Sequence, residues 1–204
     1  MILYGCPNSR SLRAAWALEE TGAPYDYAHV DLFKGEGRQP DFLAINPAGK
    51  LPVLVDGALT LTESAAIVTY LGERFPDSGL VPAGAAARAD YFRWCSFAIT
   101  ELEPPIWAIA KHRFILPKDK RVAGVEATAR WEFADAARQL AAHLAGRDFL
   151  LNGGFSGADI LAGHTLAWAK SAKVPLDPPV LETYLQRLNA RPALDRARAR
   201  ETAA

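Results

Sequence analysis

The first 76 residues alternate between short apolar runs, which are typical of buried strands, and segments whose apolar residues recur at helical spacing. In chain order they predict a strand at Ile2–Tyr4, a helix at Ser11–Thr21 ended by Gly22, a strand at Tyr25–Val30, a short helix at Asp41–Ile45, a hairpin that turns at Asp56-Gly57, and a helix at Ala65–Phe75. The resulting β-α-β-α-β-β-α order favours an α/β domain with a four-stranded mixed sheet and flanking helices.

After this region the pattern becomes helical throughout. Residues 77–85 are rich in proline, glycine and alanine, which is typical of a linker. Residues 86–204 then form an all-helical domain, with helices predicted at Arg88–Ala110, Glu126–Ala145, Ala158–Ala172, Pro179–Asn189 and Pro192–Arg200. The chain is therefore predicted to consist of a domain at 1–76, a linker at 77–85 and a second domain at 86–204.

Two local sequences shape the helical domain. Pro104 and Pro105, after Glu103, must bend or interrupt the first long helix. Ser156 and Asp159 have the spacing of an N-capping box, in which the serine caps the helix and the acid reaches back to the amide of the cap residue. We interpret this pair as a folding determinant rather than as a source of catalytic acid.

Composition narrows the class of partner and the compartment. Lys plus Arg and Asp plus Glu number 23 each, and a formal net charge of zero argues against nucleic acid or an anionic membrane as a bulk electrostatic partner. No apolar run approaches membrane-spanning length, and the first residues do not have the pattern of a signal peptide. Cys6 and Cys95 lie too far apart in sequence to suggest a disulfide framework. These features predict a cytoplasmic protein.

A turn, a proline at a strand start and a helix N-terminus follow one another between Asn46 and Ser64. Pro52 cannot donate to a sheet ladder, so it marks an exposed backbone segment or a cis turn before the hairpin. Thr62 lies where an N-cap is expected, with Glu63 and Ser64 in the first turn of the helix. Because free N–H groups and the positive end of the dipole gather there, this terminus suits a carboxylate. The segment predicts a site for a small anionic peptide.

This constellation resembles the glutathione-binding domain of the cytosolic glutathione transferases. The resemblance implies a thioredoxin-like N-terminal domain, an all-α second domain, and glutathione as co-substrate. It implies that Leu51 precedes a cis Pro52 and binds the cysteinyl backbone of glutathione. It also implies that Glu63 and Ser64 hold the γ-glutamyl end, and that Lys50 binds the glycine carboxylate.

The resemblance places the chemistry between the first strand and the first helix, where transferases of this family carry a tyrosine, serine or cysteine. The bacterial and the theta- and delta-like serine types are most similar, because Ser9 is followed four residues later by Arg13. A hydroxyl donor to the sulfur would stabilise the thiolate of glutathione, since a free thiol of this kind has a pKa of about 8.5. The thiolate would then attack an electrophilic carbon. Ser11 and Asn8 are alternatives within one turn, whereas Tyr4 lies too early, inside the strand.

Cys6 is the principal competitor of Ser9. The Cys-Pro-x-Ser sequence that begins at Cys6 is similar to the motif of glutaredoxins and to the start of omega-class transferases. In that interpretation Cys6 forms a mixed disulfide with glutathione, and the enzyme is a thiol transferase or dehydroascorbate reductase. A third interpretation is that Cys6 is a small buried residue at a strand end.

The electrophile site is expected to be apolar and to involve the first long helix of the second domain and the loop after it. The candidates are Trp94, Phe97, Ile106, Trp107 and Phe114, with Lys111, His112 and Arg113 as polar ones. The remaining histidines are far apart and lack a metal-ligand spacing, so no metal is expected.

The sequence therefore predicts a glutathione transferase that conjugates glutathione to small hydrophobic electrophiles in detoxification. The resemblance implies a twofold homodimer whose contacts involve the Ala65–Phe75 helix and the early part of the helix from Arg88. The alternative from another class is a transferase-like binding module without turnover. Lys50, Leu51-Pro52 and Glu63-Ser64 are all present, which favours the enzyme.

Overall fold

A computed structural model describes residues 1–203, which separate into two units. The first unit comprises Met1–Val81 together with the described residues from Ala190 onward, and the second comprises Pro82–Asn189. None of the helices within residues 1–203 is both long and apolar enough to cross a membrane.

The first unit is built on a four-stranded sheet with the order β2-β1-β3-β4. Its strands are β1 (Ile2–Gly5), β2 (Asp26–His29), β3 (Val53–Asp56) and β4 (Leu59–Thr62). The β1–β2 pair is parallel, and the other two pairs are antiparallel, which confirms the predicted mixed sheet. Leu3, Val53 and Leu54 are fully buried, so the apolar runs that predicted the strands form the core of the sheet.

Three helices flank this sheet in the Met1–Val81 part of the first unit: α1 (Ser11–Thr21), α2 (Pro40–Ile45) and α3 (Ser64–Arg74). The predicted bounds of α1 are confirmed, and Gly22 ends it with a positive φ of 68° while its N–H bonds to the Leu18 carbonyl. The start of α3 corrects the predicted cap. Glu63 is the N-cap residue, because Thr62 is still paired with Val53 in the sheet.

The second unit is helical, as predicted. Its helices are α4 (Ala85–Phe97), α5 (Glu103–Ala110), α6 (Val125–Leu144), α7 (Gly157–Ser171) and α8 (Val180–Asn189). The predicted single helix at Arg88–Ala110 begins earlier and is divided between α4 and α5 by a π-helical turn, Ala98–Leu102. Pro104 and Pro105 fall in the first turn of α5, where the missing N–H groups cost least.

The capping box at the start of α7 is present. Ser156 is the N-cap residue, and its backbone N–H and hydroxyl both donate to Asp159 Oδ2 at 2.9 Å. Asp159 Oδ1 accepts from the Leu150 N–H at 2.9 Å and from the Tyr184 hydroxyl at 2.8 Å. Burial raises the pKa of the Asp159 carboxyl, and these four donors oppose that rise. The motif therefore joins a loop, α7 and α8 around one buried carboxyl group.

The last helix, α9 (Pro192–Ala203), belongs with the first unit, because it lies against α1. The predicted division assigns this segment to the domain at 86–204, and the structure differs there. Two ion pairs bind this segment to α1: Arg191, directly before α9, bonds to Glu20 at 2.6 Å, and Arg196 in α9 bonds to Glu19 at 2.9 Å. A helical pattern predicts that α9 forms, but it does not indicate which unit the helix packs on.

Candidate active site

The turn between β1 and α1 places three hydrogen-bonding groups around the Ser9 hydroxyl. The Ser9 hydroxyl donates to the Cys6 carbonyl oxygen at 2.8 Å, and its Oγ lies 2.7 Å from Ser11 Oγ. The Ser11 backbone N–H donates to Ser9 Oγ at 3.1 Å. Ser9 is held by the turn but is only half-buried, so the residue keeps some exposed surface. Its hydroxyl can therefore accept hydrogen bonds from its neighbours and donate one to a bound ligand.

The alternative candidates in the same turn have different surroundings. Ser11 is fully buried, and its Oγ accepts from the Cys6 N–H at 3.3 Å. Asn8 is exposed and has a left-handed backbone, with φ of 58°. Cys6 is buried, and burial raises the pKa of its thiol, although a hydrogen bond from Ser9 opposes that rise. The arrangement favours the neutral thiol of Cys6 over a nucleophilic thiolate.

Arg13 links the first helix to the start of α3. It is almost completely buried, and its Nη1 donates to Ser64 Oγ at 3.3 Å. The sequence singled out this arginine only by its spacing from Ser9, and the contact with Ser64 is not predictable from that spacing. The hydrogen bond couples the turn that carries Ser9 to the helix terminus predicted to bind the γ-glutamyl group.

The turn that precedes the sheet hairpin is fixed by a buried asparagine. Asn46 Oδ1 accepts from the Ala48 N–H at 3.1 Å, and Asn46 Nδ2 donates to the Lys50 carbonyl at 2.8 Å. Gly49 has φ of 62°, and a Cβ there would lie 2.5 Å from the Gly37 carbonyl oxygen. The Asn-Pro-x-Gly pattern predicted this turn, whereas the positioning role of Asn46 was missed.

The peptide that follows this turn is arranged as the resemblance implied. The Leu51-Pro52 bond is cis, and Pro52 is buried directly before β3. Leu51 is half-buried, while the Lys50 side chain is exposed to solvent. The structure thus presents Lys50 and the Leu51 backbone on the same short stretch.

The N-terminus of α3 carries Glu63 in an unusual conformation. Glu63 has φ of 67° and ψ of 114°, a region that non-glycine residues rarely occupy, and its carbonyl accepts from the Ile67 N–H at 3.0 Å. Such outliers concentrate at ligand sites. The Glu63 side chain is exposed and Ser64 is buried behind it, so a carboxylate and the free N–H groups of the helix start lie together.

The predicted electrophile residues, all in the second unit, divide by burial. Ile106 is fully buried, and Trp94 is 5% exposed; its ring meets Phe97 edge to face at 5.3 Å and lies tilted against His143 at 4.2 Å, both measured between ring centroids. These two have little surface to offer a substrate. Phe97, Trp107 and Lys111 are half-buried and retain accessible surface.

The loop side chains predicted as further candidates have partners of their own. His112 Nδ1 accepts from the Val122 N–H at 3.0 Å, and Arg113 forms an ion pair with Glu126. Phe114 is exposed. Within residues 1–203, no group of three or more His, Cys, Asp or Glu side chains is arranged to hold a metal ion.

Known proteins resemble this chain at the level of both sequence and structure. The family model described as glutathione S-transferase, N-terminal domain, matches residues 1–73. Glutathione S-transferase GST-4.5 of Xanthomonas campestris pv. campestris is 32% identical over 192 residues, which cover 93% of each chain. Glutathione S-transferase 3 of Zea mays is 34% identical, with 95% of this chain and 91% of the relative covered.

Two solved structures extend the comparison to the whole fold. A sphingomonad glutathione S-transferase complexed with glutathione has a TM-score of 0.87 and 32% identity, with complete coverage of both chains. A ternary complex of BphK, a bacterial glutathione transferase, has a TM-score of 0.88 and 30% identity, with 99% and 100% coverage. Since these matches span nearly the full length of the chain, it belongs to the glutathione S-transferase family.

Proposed function

We propose that this enzyme conjugates glutathione to small hydrophobic electrophiles and that Ser9 supplies the hydroxyl that stabilises the glutathione thiolate. The observation that carries the proposal is the hydrogen bonding of Ser9. Its oxygen receives the Ser11 N–H at 3.1 Å and lies 2.7 Å from Ser11 Oγ. Donors into this oxygen polarise its own O–H bond, which makes it a stronger donor to an anion.

The reaction then needs only a small rearrangement of the turn. The Ser9 hydroxyl, which donates to the Cys6 carbonyl at 2.8 Å, rotates toward the sulfur of bound glutathione. The N-terminal end of α1 adds a favourable dipole, so the thiol ionises at a lower pH than its free value of about 8.5. The thiolate sulfur forms a bond to the electrophilic carbon, and the leaving group departs with its electron pair.

The glutathione backbone is expected to bind along the surface from Lys50 to Ser64. The exposed ammonium of Lys50 suits the glycine carboxylate, and the Leu51 backbone beside cis Pro52 suits the cysteinyl amide. At the start of α3, the Glu63 carboxylate suits the γ-glutamyl ammonium, while Ser64 and the helix N–H groups suit its carboxylate.

Replacing Glu63 with alanine should weaken glutathione binding most among these positions. A hydrogen bond to a charged group is worth about 1.5–3 kcal/mol, which corresponds to a roughly 10- to 150-fold rise in Kd. Titration calorimetry measures this change. Glu73→Ala removes an exposed carboxylate from the other end of α3 and should leave Kd unaltered. Unchanged affinity in both Glu63→Ala and Ser64→Ala would exclude this site.

The electrophile is proposed to contact Phe97, Trp107 and Lys111, because these predicted residues keep accessible surface. Trp94 contacts the Phe97 ring from a buried position, and Ile106 is fully buried, so neither is proposed to touch the substrate. Small aromatic compounds with an electrophilic carbon fit such a lining, since Phe97 and Trp107 offer aromatic faces and Lys111 offers a cation. Detoxification in the cytoplasm is the proposed role.

We expect the protein to form a twofold homodimer through α3 and the first part of α4. Phe92 on α4 is 45% exposed, and an exposed aromatic side chain of this size is typical of an interface. Light scattering at micromolar concentration should give twice the 22.1 kDa mass of the chain. A monomeric mass would contradict the proposal, and Phe92→Glu should shift the protein toward the monomer.

The two alternative functions, thiol transfer by Cys6 and binding without turnover, receive less support. Thiol transfer or dehydroascorbate reduction by Cys6 requires an accessible thiolate, whereas the Cys6 thiol is buried and burial raises its pKa. A binding module without turnover needs neither a hydrogen-bonded hydroxyl at Ser9 nor all of the proposed glutathione-binding residues between Lys50 and Ser64, and this chain has both.

A further inference from the structure

A carboxyl group is buried at the end of the chain without a cation bonded to it among the contacts of residues 1–203. Glu201 on α9 is 4% exposed, and its Oε1 accepts a hydrogen bond from the Tyr27 hydroxyl at 3.2 Å. Tyr27 belongs to β2, 174 residues earlier in the chain. Burying a carboxylate without a bonded cation costs free energy, so helix packing alone does not explain why a glutamate occupies this position.

The Tyr27 hydroxyl also lies against the turn that carries Ser9. A Cβ built on Gly5 would lie 2.4 Å from Tyr27 Oη, 2.7 Å from Ser11 Cβ and 2.9 Å from Ser11 Oγ. Gly5 therefore has to be glycine so that the tyrosine hydroxyl and Ser11 can both approach the end of β1. A displacement of the Tyr27 hydroxyl would therefore move atoms of this turn.

Ser11 lies between this contact and Ser9. Its Oγ accepts from the Cys6 N–H at 3.3 Å and lies 2.7 Å from Ser9 Oγ. A continuous series of contacts thus runs from Glu201 through Tyr27, along Gly5 and Ser11, to the proposed catalytic hydroxyl.

We propose that Glu201 is a positioning residue for conjugation, acting through the Tyr27 hydroxyl on the turn from Gly5 to Ser11. This inference rests on the proposed role of Ser9. Glu201 does not touch glutathione in this scheme. It holds the Tyr27 side chain in one orientation, and Tyr27 in turn limits the positions that Ser11 and Ser9 can take. The C-terminal helix thereby becomes part of the support of the active site.

The charge of Glu201 gives this support a pH dependence. Burial raises the pKa of the Glu201 carboxyl to about 7, whereas the hydrogen bond from Tyr27 lowers it. The pKa of Tyr27 is raised, chiefly by burial and then by Glu201, so Tyr27 remains a donor throughout. Burial is the main reason why the pKa of the Cys6 thiol is raised, and ionised Glu201 adds to that rise, so its negative charge acts on the turn that carries Ser9.

The other charged groups that α9 meets are already paired. On α1, Glu19 bonds to Arg196 and Glu20 bonds to Arg191. The Arg200 guanidinium lies over the Tyr25 ring at 5.3 Å and 3.8 Å from Glu19. Glu201 forms no such ion pair among the described residues, and the pKa of its carboxyl is raised to about 7, mainly by burial. A rise in pH through 7 therefore adds a negative charge beside the turn, which opposes thiolate formation.

The test compares Glu201→Ala, Glu201→Gln and Tyr27→Phe with Asp195→Asn, which removes an exposed carboxylate from the same helix. We expect Glu201→Ala and Tyr27→Phe to lower kcat for conjugation by roughly 10- to 100-fold, the loss associated with a displacement of about 1 Å. KM for glutathione should change little. At pH 6, where the Glu201 carboxyl is mostly protonated and its charge does not oppose the thiolate, the thiolate absorbance of bound glutathione should fall. Asp195→Asn should match wild type.

Glu201→Gln distinguishes positioning from simple folding. The amide oxygen still accepts from Tyr27, so kcat at pH 6 should return toward the wild-type value. We expect kcat of wild type to fall above pH 7, and because the amide cannot ionise, this fall should be absent in Glu201→Gln. We also expect the thermal stability of wild type to fall between about pH 4.5 and 7, where the folded state holds the proton and the unfolded state has lost it, and Glu201→Gln should lack this fall.

Two results would overturn the inference, and they differ from failure of the proposed function. The first is wild-type kcat and wild-type thiolate absorbance at pH 6 in folded Glu201→Ala and Tyr27→Phe. The second is a pH profile of Glu201→Gln that is identical to that of wild type, which remains decisive if Glu201→Ala does not fold. Wild-type protein that neither binds nor conjugates glutathione would instead defeat the proposed function itself, and the positioning role with it.

Discussion

Replacing Ser9 with alanine should lower kcat for conjugation of a chlorodinitrobenzene-type electrophile by about 100- to 1000-fold, the loss associated with removing one donor to a developing anion. Alanine cannot donate to the sulfur, and the Ser11 N–H that now bonds to Ser9 Oγ at 3.1 Å loses its acceptor. The thiol pKa of bound glutathione should rise toward its free value of about 8.5. Stopped-flow kinetics and thiolate absorbance measure the two effects, and calorimetry should show little change in glutathione affinity.

Cys6→Ser is the matched control for this prediction. The Cys6 thiol is buried and burial raises its pKa, so its replacement should leave conjugation nearly intact. If Cys6 were the nucleophile, the pattern would invert: Cys6→Ser would abolish thiol transfer, and mass spectrometry of wild type would detect a glutathione adduct on Cys6. If neither substitution altered either activity, both assignments would fail, and Asn8, Ser11 or a backbone amide would become the candidate.

Asp159→Ala should lower the free energy of unfolding by about 3–5 kcal/mol, because each buried polar group left without a hydrogen-bond partner costs about 1–3 kcal/mol. The carboxyl group accepts four hydrogen bonds, and its removal leaves the Leu150 and Ser156 N–H groups and the Ser156 and Tyr184 hydroxyls without this acceptor. Since a domain is stable by only about 5–15 kcal/mol, the variant should be close to unfolding at 37 °C. Urea denaturation followed by circular dichroism measures the change.

Two further variants test whether the loss of stability comes from the hydrogen bonds of Asp159. Tyr184→Phe removes one of the four donors and should cost about 1 kcal/mol. Asp119→Ala removes an exposed carboxylate from a surface turn and should lie within about 0.5 kcal/mol of wild type. A wild-type unfolding midpoint in Asp159→Ala would show that the network is not a folding determinant.

The parts of the fold that the sequence predicted are those encoded by neighbouring residues. The bounds of α1 follow from apolar spacing and from Gly22, which adopts the left-handed conformation that ends a helix. The capping box of Ser156 and Asp159 is also local, because its two members lie three residues apart. The resemblance added the cis peptide at Leu51-Pro52, which the structure contains.

The parts that the sequence did not predict depend on distant contacts or on backbone conformation. The positive φ of Glu63 is unusual for its residue type, so Thr62 was the natural choice of cap. The turn between α4 and α5 was expected at the prolines, but it lies before them as a wide helical turn at Ala98–Leu102.

Contacts between the two ends of the chain were likewise outside the reach of local patterns. The Glu19–Arg196 pair joins residues 177 positions apart. In the candidate site, the bond between Arg13 and Ser64 spans 51 positions, so residue spacing gave no sign of it. Burial was a further limit, since Trp94 and Ile106 have the same apolar character as Phe97 but lie inside the unit.

Because α9 completes the unit that begins at Met1, this unit is discontinuous in sequence. During translation, residues 1–81 are synthesised long before α9, the helix that lies against α1. One side of α1 therefore stays exposed to solvent until α9 has been made. A purification tag fused directly behind α9, or a premature stop codon before it, would therefore disturb the unit that contains the sheet and α1. Expression designs for this enzyme should carry their tags at the N-terminus with a flexible spacer, and a fragment that ends at Val81 should be a poor substitute for the native unit.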